Sequence, residues 1–278
     1  MNGPTQPCDA DPGRVLRRGM SMFGLFGGGA NVIMQLSRPG VGYGVVESRV
    51  DSGNLYLHPV KRTRTTLTYL AVALLGTDGE RQAFRRAMGP GHAQVRSTPD
   101  SPVQYNAFDV DLQTWVAACL YRGFEDVYRL TQGPLGEHED GFYQAGAVLG
   151  TTLQMPRDAW PADRAAFERY WTRSLEQAQI DDTVRDYLVG IATVTFLPRP
   201  LQLLAGPVNK FFTTGFLPEH FREQMRLPWG PRRQGLFDLF WRVAGPVDRL
   251  SPAVVRELPF RVAMWDLRRR IRKGRPLV

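Results

Sequence analysis

The sequence predicts an all-α protein built as a single large helical domain, and three observations lead there. Apolar residues recur at helical spacing in one segment after another, Gly and Pro fall where helices should stop, and period-two alternation is scarce. Residues 109–121 are the clearest case. Leu112, Trp115, Val116, Cys119 and Leu120 fall at i, i+3, i+4, i+7 and i+8, so that face must be buried, and Asp109 is placed to cap it. Residues 62–75 end at Gly76, the residue type that suits the position just past a helix. Residues 163–175 follow Pro161 and put Phe167, Tyr170 and Trp171 on one side, and 182–197 stop before Pro198, whose ring disfavours a helical predecessor. Further helices are predicted at 19–36, 142–153, 200–212, 218–226, 234–244 and 252–270. Only 44–50 and 101–106 hint at extended chain.

The 278 residues contain no linker, repeat or low-complexity run, so they read as one core at 19–267 between a flexible N-terminal tail, 1–18, and a basic C-terminal tail, 268–278. With 43% hydrophobic and 11% aromatic residues, the chain can fill a sizeable interior. The first eighteen residues lack the apolar stretch of a secretory signal, and no apolar run approaches the ~20 residues of a bilayer span. The expected location is therefore cytoplasmic. Cys8 and Cys119 do not suggest a disulfide framework, and without a Cys-x-x-Cys-His there is no covalent c-type haem.

The formal charge is +8, with Arg268, Arg269, Arg270, Arg272, Lys273 and Arg275 crowded into the last eleven residues. A solvated helix end, where cations suit the dipole, is the plainer reading, and a weak peripheral membrane contact through this tail is the alternative. No zinc finger, basic zipper or RNA-recognition motif accompanies the charge, so nucleic acid is not expected as a partner.

Few side chains carry recognisable chemistry. His58 precedes Pro59, His138 sits in an acidic run and His220 follows Pro218; none has a second ligand at metal spacing. Hydrolase-elbow, phosphate-loop and dinucleotide fingerprints are missing, and the glycines of Phe26-Gly27-Gly28-Gly29-Ala30 read as close helix packing or a flexible entry loop. His92 is different, because one histidine can be the whole protein contribution to a haem iron; an ordinary structural histidine is the alternative. On a helix, Val95 and Arg96 would share its face, an apolar contact and a cation suited to a macrocycle with anionic propionates. Gly89-Pro90-Gly91 should break or restart a helix there, with His92 close to a new first turn.

Thr63, Thr65, Thr66 and Thr68 are poor helix formers, so four of them in one segment require packing or polar work. Arg62, Thr66, Tyr69 and Ala73 fall near one stripe. Buried, that stripe offers a guanidinium, a hydroxyl and a phenol to a bound oxygen species; otherwise Arg62 and Arg64 face water. Phe211, Phe212, Phe216, Phe237, Phe240 and Trp241 either pack as core or line a long apolar pocket. Arg222 and Arg226 read as solvated or in a structural ion pair.

An ordered set of short motifs runs from about residue 25 to 265. It comprises Leu36-x-x-Pro39 with Gly44-Val45; Arg62-x-x-x-Thr66-x-x-Tyr69-Leu70; Gly76; His92-x-x-Val95; Tyr105-x-Ala107-x-Asp109; Trp115-Val116; Leu149-Gly150; Tyr170-Trp171; and Leu217-Pro218-x-x-x-Arg222. With these, the sequence resembles the family joining the rubber oxygenases (latex clearing proteins) to the MpaB-type oxygenases. The resemblance implies a helical, partly globin-like core, a non-covalent haem b with its iron, and attack by dioxygen on a hydrophobic isoprenoid or lipid-like substrate. By position it makes His92 the proximal ligand and Arg62 and Thr66 the distal residues, while Thr65 stands where rubber oxygenases carry a lysine. Rubber cleavage itself therefore does not follow. Arg96 as a propionate partner rests on helical spacing alone. The alternatives are a helical haem or lipid carrier or sensor without turnover, and the same fold without haem.

Overall fold

The computed structural model describes residues 12–278, and Cys8 lies outside them. In chain order the helices are α1 (Pro12–Arg18), α2 (Gly28–Leu36), α3 (Pro39–Val46), α4 (Pro59–Leu75), α5 (Asp78–His92), α6 (Val110–Gln132), α7 (Glu139–Gly146), α8 (Val148–Thr151), α9 (Arg164–Glu176), α10 (Asp182–Ala192), α11 (Arg199–Phe216), α12 (Glu219–Gln224), α13 (Pro231–Leu250), α14 (Ala253–Arg256) and α15 (Leu258–Arg272). A 3-10 turn at Met22–Gly27 joins α1 to α2. The all-α class is as predicted; among the described residues the β pairing is one isolated antiparallel bridge, Arg96 to Asn106.

The central helix is α6. Asp109 caps it by accepting the Leu112 amide at 3.0 Å, and burial of Phe124, Val127 and Tyr128 carries it past residue 121 until Gly133, at φ 94°, ends it. One side, with Ala117, Leu120 and Tyr121, joins a core cluster shared with α1, α4 and α7; the other, with Trp115 and Cys119, joins a second cluster shared with α2, α10 and α12. Each such large side chain, fully buried, stabilises by about 1.5–3 kcal/mol before entropy is subtracted. Glu125 on α6 is 2% exposed and pairs with Arg122, Arg129 and Arg164 at 3.1, 2.9 and 2.7 Å. Burial pushes its carboxyl up, but the arginines outweigh this and hold it below the ordinary range.

Several predicted elements differ. The predicted helix 19–36 is split, because Gly19 lies against the Phe124 carbonyl and Met22–Gly27 forms the 3-10 turn before α2 begins. Residues 44–46 are helical rather than extended, because Pro39, which needs no amide hydrogen at the first turn, starts α3, and 47–50 leave it without forming a strand. Residues 101–106 contribute only to the bridge. The helix predicted at 182–197 ends at Ala192, where Val194 adopts φ 49°. Residues 142–153 break at Ala147 into α7 and α8, and 252–270 break at Glu257 into α14 and α15.

Phe212, Phe237 and Trp241 pack on one another with Phe23, Phe26 and Phe240, so these aromatics form a satellite core. Gly29 serves close helix packing: a Cβ there would sit 2.3 Å from Thr213 Oγ1 on α11. Arg226 is ion-paired with Asp182 at 3.3 Å. Residues 268–272 belong to α15, which lies on α4, and Arg268 pairs with Glu80 at 2.7 Å. No described helix is long and apolar enough to cross a membrane.

Candidate functional site

Helix α4 begins at Pro59 in its first turn, and its threonines divide by face. Thr65 and Thr68 are buried and return their hydroxyls to the Lys61 and Arg64 carbonyls at 3.0 and 2.8 Å. Thr66 is exposed, and no other described group hydrogen-bonds its hydroxyl. Arg62, one turn earlier, is half-buried and crowded by protein, and burial lowers its pKa. Among the described residues its guanidinium has neither an ion pair nor a hydrogen bond. None of its nitrogens is fully shut off from water, so its five donors are open to an anion or polar ligand. The Tyr69 hydroxyl, by contrast, is spent on the Leu149 carbonyl, so it is not free to meet a ligand.

Helix α5 was not predicted, although Thr77 and Glu80 form a full capping box at its start. Arg81 on α5 donates to the Ala73 carbonyl at 3.2 and 3.1 Å, and fully buried Phe84 stacks on Tyr69 with centroids 6.4 Å apart. These contacts fix α5 on α4. Pro90 lies inside the last turn, and His92 is the final residue. The Gly-Pro-Gly run therefore lies within the end of a helix rather than opening a new one. Gly89 and Gly91 have open space where a Cβ would be, so backbone there is uncovered. Because the helix stops at His92, Arg96 does not share a helical face with it; Arg96 is exposed in the bridge to Asn106.

Gln154 completes the geometry. Its Oε1 lies 2.9 Å from His92 Nδ1; an amide oxygen only accepts, so Nδ1 carries the proton and Nε2 keeps its lone pair. The segment carrying Gln154 is held by both helices, since Tyr69 on α4 donates to the Leu149 carbonyl and Arg85 on α5 to the Thr151 carbonyl. Gly150 lets it approach: a Cβ there would lie 2.5 Å from Met155 and 2.9 Å from Ala117 on α6. Burial lowers the His92 pKa, Gln154 raises it, and the Arg62 charge lowers it further. The structure thus brings Arg62 and His92 within electrostatic reach in one half-buried region, with the imidazole neutral at physiological pH. Tyr187 of α10 also feels the Arg62 charge, and Phe108 lies against His92 with ring centroids at 6.4 Å.

This donor set fits a haem better than a bare ion. Among the described residues no three His, Cys, Asp or Glu side chains gather as a metal cluster, whereas a macrocycle that brings four nitrogens needs one neutral imidazole with its other nitrogen anchored.

Residues 14–246 match the family model described as ER-bound oxygenase mpaB/B'/rubber oxygenase, catalytic domain. The chain belongs to this family. An oxygenase-type catalytic domain thus covers most of the molecule, including α4, α5 and the Gln154 segment. Uncharacterized proteins of Mycobacterium bovis and Mycobacterium tuberculosis are each 54% identical over 250 residues, covering 90% of this chain and 98% of theirs. No solved structure matches. Arg62, Thr66 and His92 were drawn as candidates from the ordered motifs of the sequence. Gln154, Phe108 and Tyr187 were not; the nearest signal to Gln154 was Leu149-Gly150, whose glycine permits the close approach of that segment.

Proposed function

We propose that this oxygenase-family chain is a haem b-dependent oxygenase acting with dioxygen on a hydrophobic isoprenoid or lipid-like substrate. The observation that carries the reading is the pairing of an Nδ1-anchored, neutral imidazole at His92 with a crowded, unpartnered guanidinium at Arg62. His92 Nε2 would hold the haem iron in this reading, and Gln154 keeps that lone pair available by holding the proton on Nδ1. Haem, when bound, supplies an iron centre capable of dioxygen chemistry. Arg62 offers charge-assisted hydrogen bonds to negative charge that develops on oxygen, and the free Thr66 hydroxyl is a second donor one turn along α4. Thr65, a neutral side chain whose hydroxyl donates to the Lys61 carbonyl, brings no cation where rubber oxygenases carry a lysine; this feature favours the second reading, a haem or lipid carrier or sensor without turnover.

The test is spectroscopic first and catalytic second. Protein expressed with ample haem should show a Soret band that His92→Ala abolishes, and a colourless wild-type protein would overturn the proposal. Oxygen uptake with isoprenoid alkenes should disappear in Arg62→Ala while the Soret band persists. A haem-loaded wild type that consumes no oxygen with any alkene supports the carrier instead.

A further inference from the structure

An acid-poor apolar face lies on the other side of the satellite aromatic core. On α11 the stripe that Trp229 and Phe237 cover at Phe211 and Gly215 continues uncovered toward the N-terminus. Leu201, Leu204 and Val208 there are 53%, 76% and 50% exposed. On α13, Phe237, Trp241 and Ala244 face the core, while Leu236, Leu239, Val243, Val247 and Leu250 form a second apolar stripe, each more than half exposed. A helix apolar on two flanks is built to lie between its own core and something else. Phe23 and Phe240 floor an apolar groove of about 470 Å³ beside this stripe, and Met22 and Leu25 of the 3-10 turn stand exposed near it.

Charge identifies the occupant. The elements that carry this face, residues 22–27, 199–216 and 231–250, contain six Lys or Arg and two acids, Asp238 and the buried Asp248, although the whole chain has 35 basic and 27 acidic residues. Exposed Arg199, Lys210, Arg232 and Arg233 occur along the same elements. A second copy of the chain would set one cationic rim against another. A bilayer with anionic headgroups offers both an apolar interior for the leucines and phosphate for the arginines.

We propose that the exposed stripes of α11 and α13, with the 3-10 turn at Met22–Gly27, form a docking face for an anionic lipid bilayer. The protein lies on the membrane surface through side chains of helices already folded, so no spanning segment is involved. Each basic residue near such a surface is worth about fivefold in partitioning, and each inserted leucine contributes at least as much.

Co-sedimentation of the full chain with vesicles tests this. Phosphatidylcholine vesicles carrying a quarter phosphatidylglycerol should bind at least tenfold more protein than pure phosphatidylcholine, and raised salt should weaken the binding. Leu204→Ser with Leu239→Ser, and separately Arg232→Glu with Arg233→Glu, should each reduce binding tenfold or more while leaving thermal unfolding unchanged. Reversing Arg269, Arg272 and Arg275 to Glu should leave it within about twofold, because those residues lie on the α15 end. Several outcomes overturn the proposal: equal recovery with and without anionic lipid, loss of binding only in the α15 variant, or light scattering that shows a dimer dissociated by the leucine changes.

Discussion

Replacing Gln154 by Leu keeps the side chain about the same size and removes the acceptor facing His92 Nδ1 at 2.9 Å. Two consequences follow. First, the proton is no longer held on Nδ1; it is free to move to Nε2, where it blocks the lone pair that would hold the iron. Outer-shell partners of ligating imidazoles are worth roughly 10–100-fold in affinity, or about 1.4–2.7 kcal/mol. Second, Gln154 is the influence that raises the imidazole pKa against burial and Arg62, so without it the pKa must fall further below 6.5. The assays are haem titration by absorbance for the first and the His92 ring resonances of the haem-free protein against pH for the second. The second does not depend on haem. A folded variant with an unchanged or higher imidazole pKa would refute the electrostatic reasoning, and unchanged haem affinity would refute the role assigned to the hydrogen bond.

Other perturbations have outcomes of defined sign. Arg62→Met removes a charge that lowers the His92 pKa, so the imidazole should titrate at higher pH by the same resonance measurement. Because the folded pKa lies below the unfolded 6.5, this histidine costs stability only as pH falls below that value, and Arg62→Met should lessen the loss between pH 7 and 5. Asp126 on α6 is pushed up to about 7 by burial and then by Glu125. A raised acid favours the folded state below the unfolded pKa of 3.8 and loses that benefit as pH rises through 7, so Asp126→Asn should stabilise by about 2–4 kcal/mol at pH 8 and by little at pH 4, measured by urea unfolding. Glu125→Ala leaves three arginines without their shared carboxylate and should cost about 3–5 kcal/mol in the same assay. Gly150→Ala forces Met155 or the segment itself away from α6 and should weaken haem binding with a small change in thermal stability.

What could be read from the chain divides by physical origin. Helix α6 was visible because its cap and its buried stripe are local, written within a few residues. Helix α5 was hidden because it is strongly polar apart from Phe84 and ends in Gly89, Pro90 and Gly91, which disguise a helical last turn; the capping box at Thr77 and Glu80 was the clue available. Arg62, Thr66 and His92 emerged from motif order, but Gln154 is 62 residues from His92, and nothing local to a glutamine announces a partner that far along the chain. The inference for Arg96 failed at its premise, since spacing on a helix carries no information once the helix has ended at His92. The leucines of α13 mark a different limit. Their apolar pattern is genuine, but periodicity cannot tell a face turned to the core from one left open.

The clamp on residues 149–154 also limits how the site can breathe. Tyr69 and Arg85 hold neighbouring carbonyls of one short segment from two different helices, so sliding α4 against α5 would break both bonds at a combined cost of about 1–3 kcal/mol. A tug on α4 at Arg62 is carried through Tyr69 to the segment that sets the imidazole's tautomer. Movement that admits a bulky molecule must then come from elsewhere, and the Phe108 stretch against His92 is itself anchored, by the Ala107 amide on the Val95 carbonyl at 2.9 Å and by Gln113 on the Ala107 carbonyl at 2.7 Å.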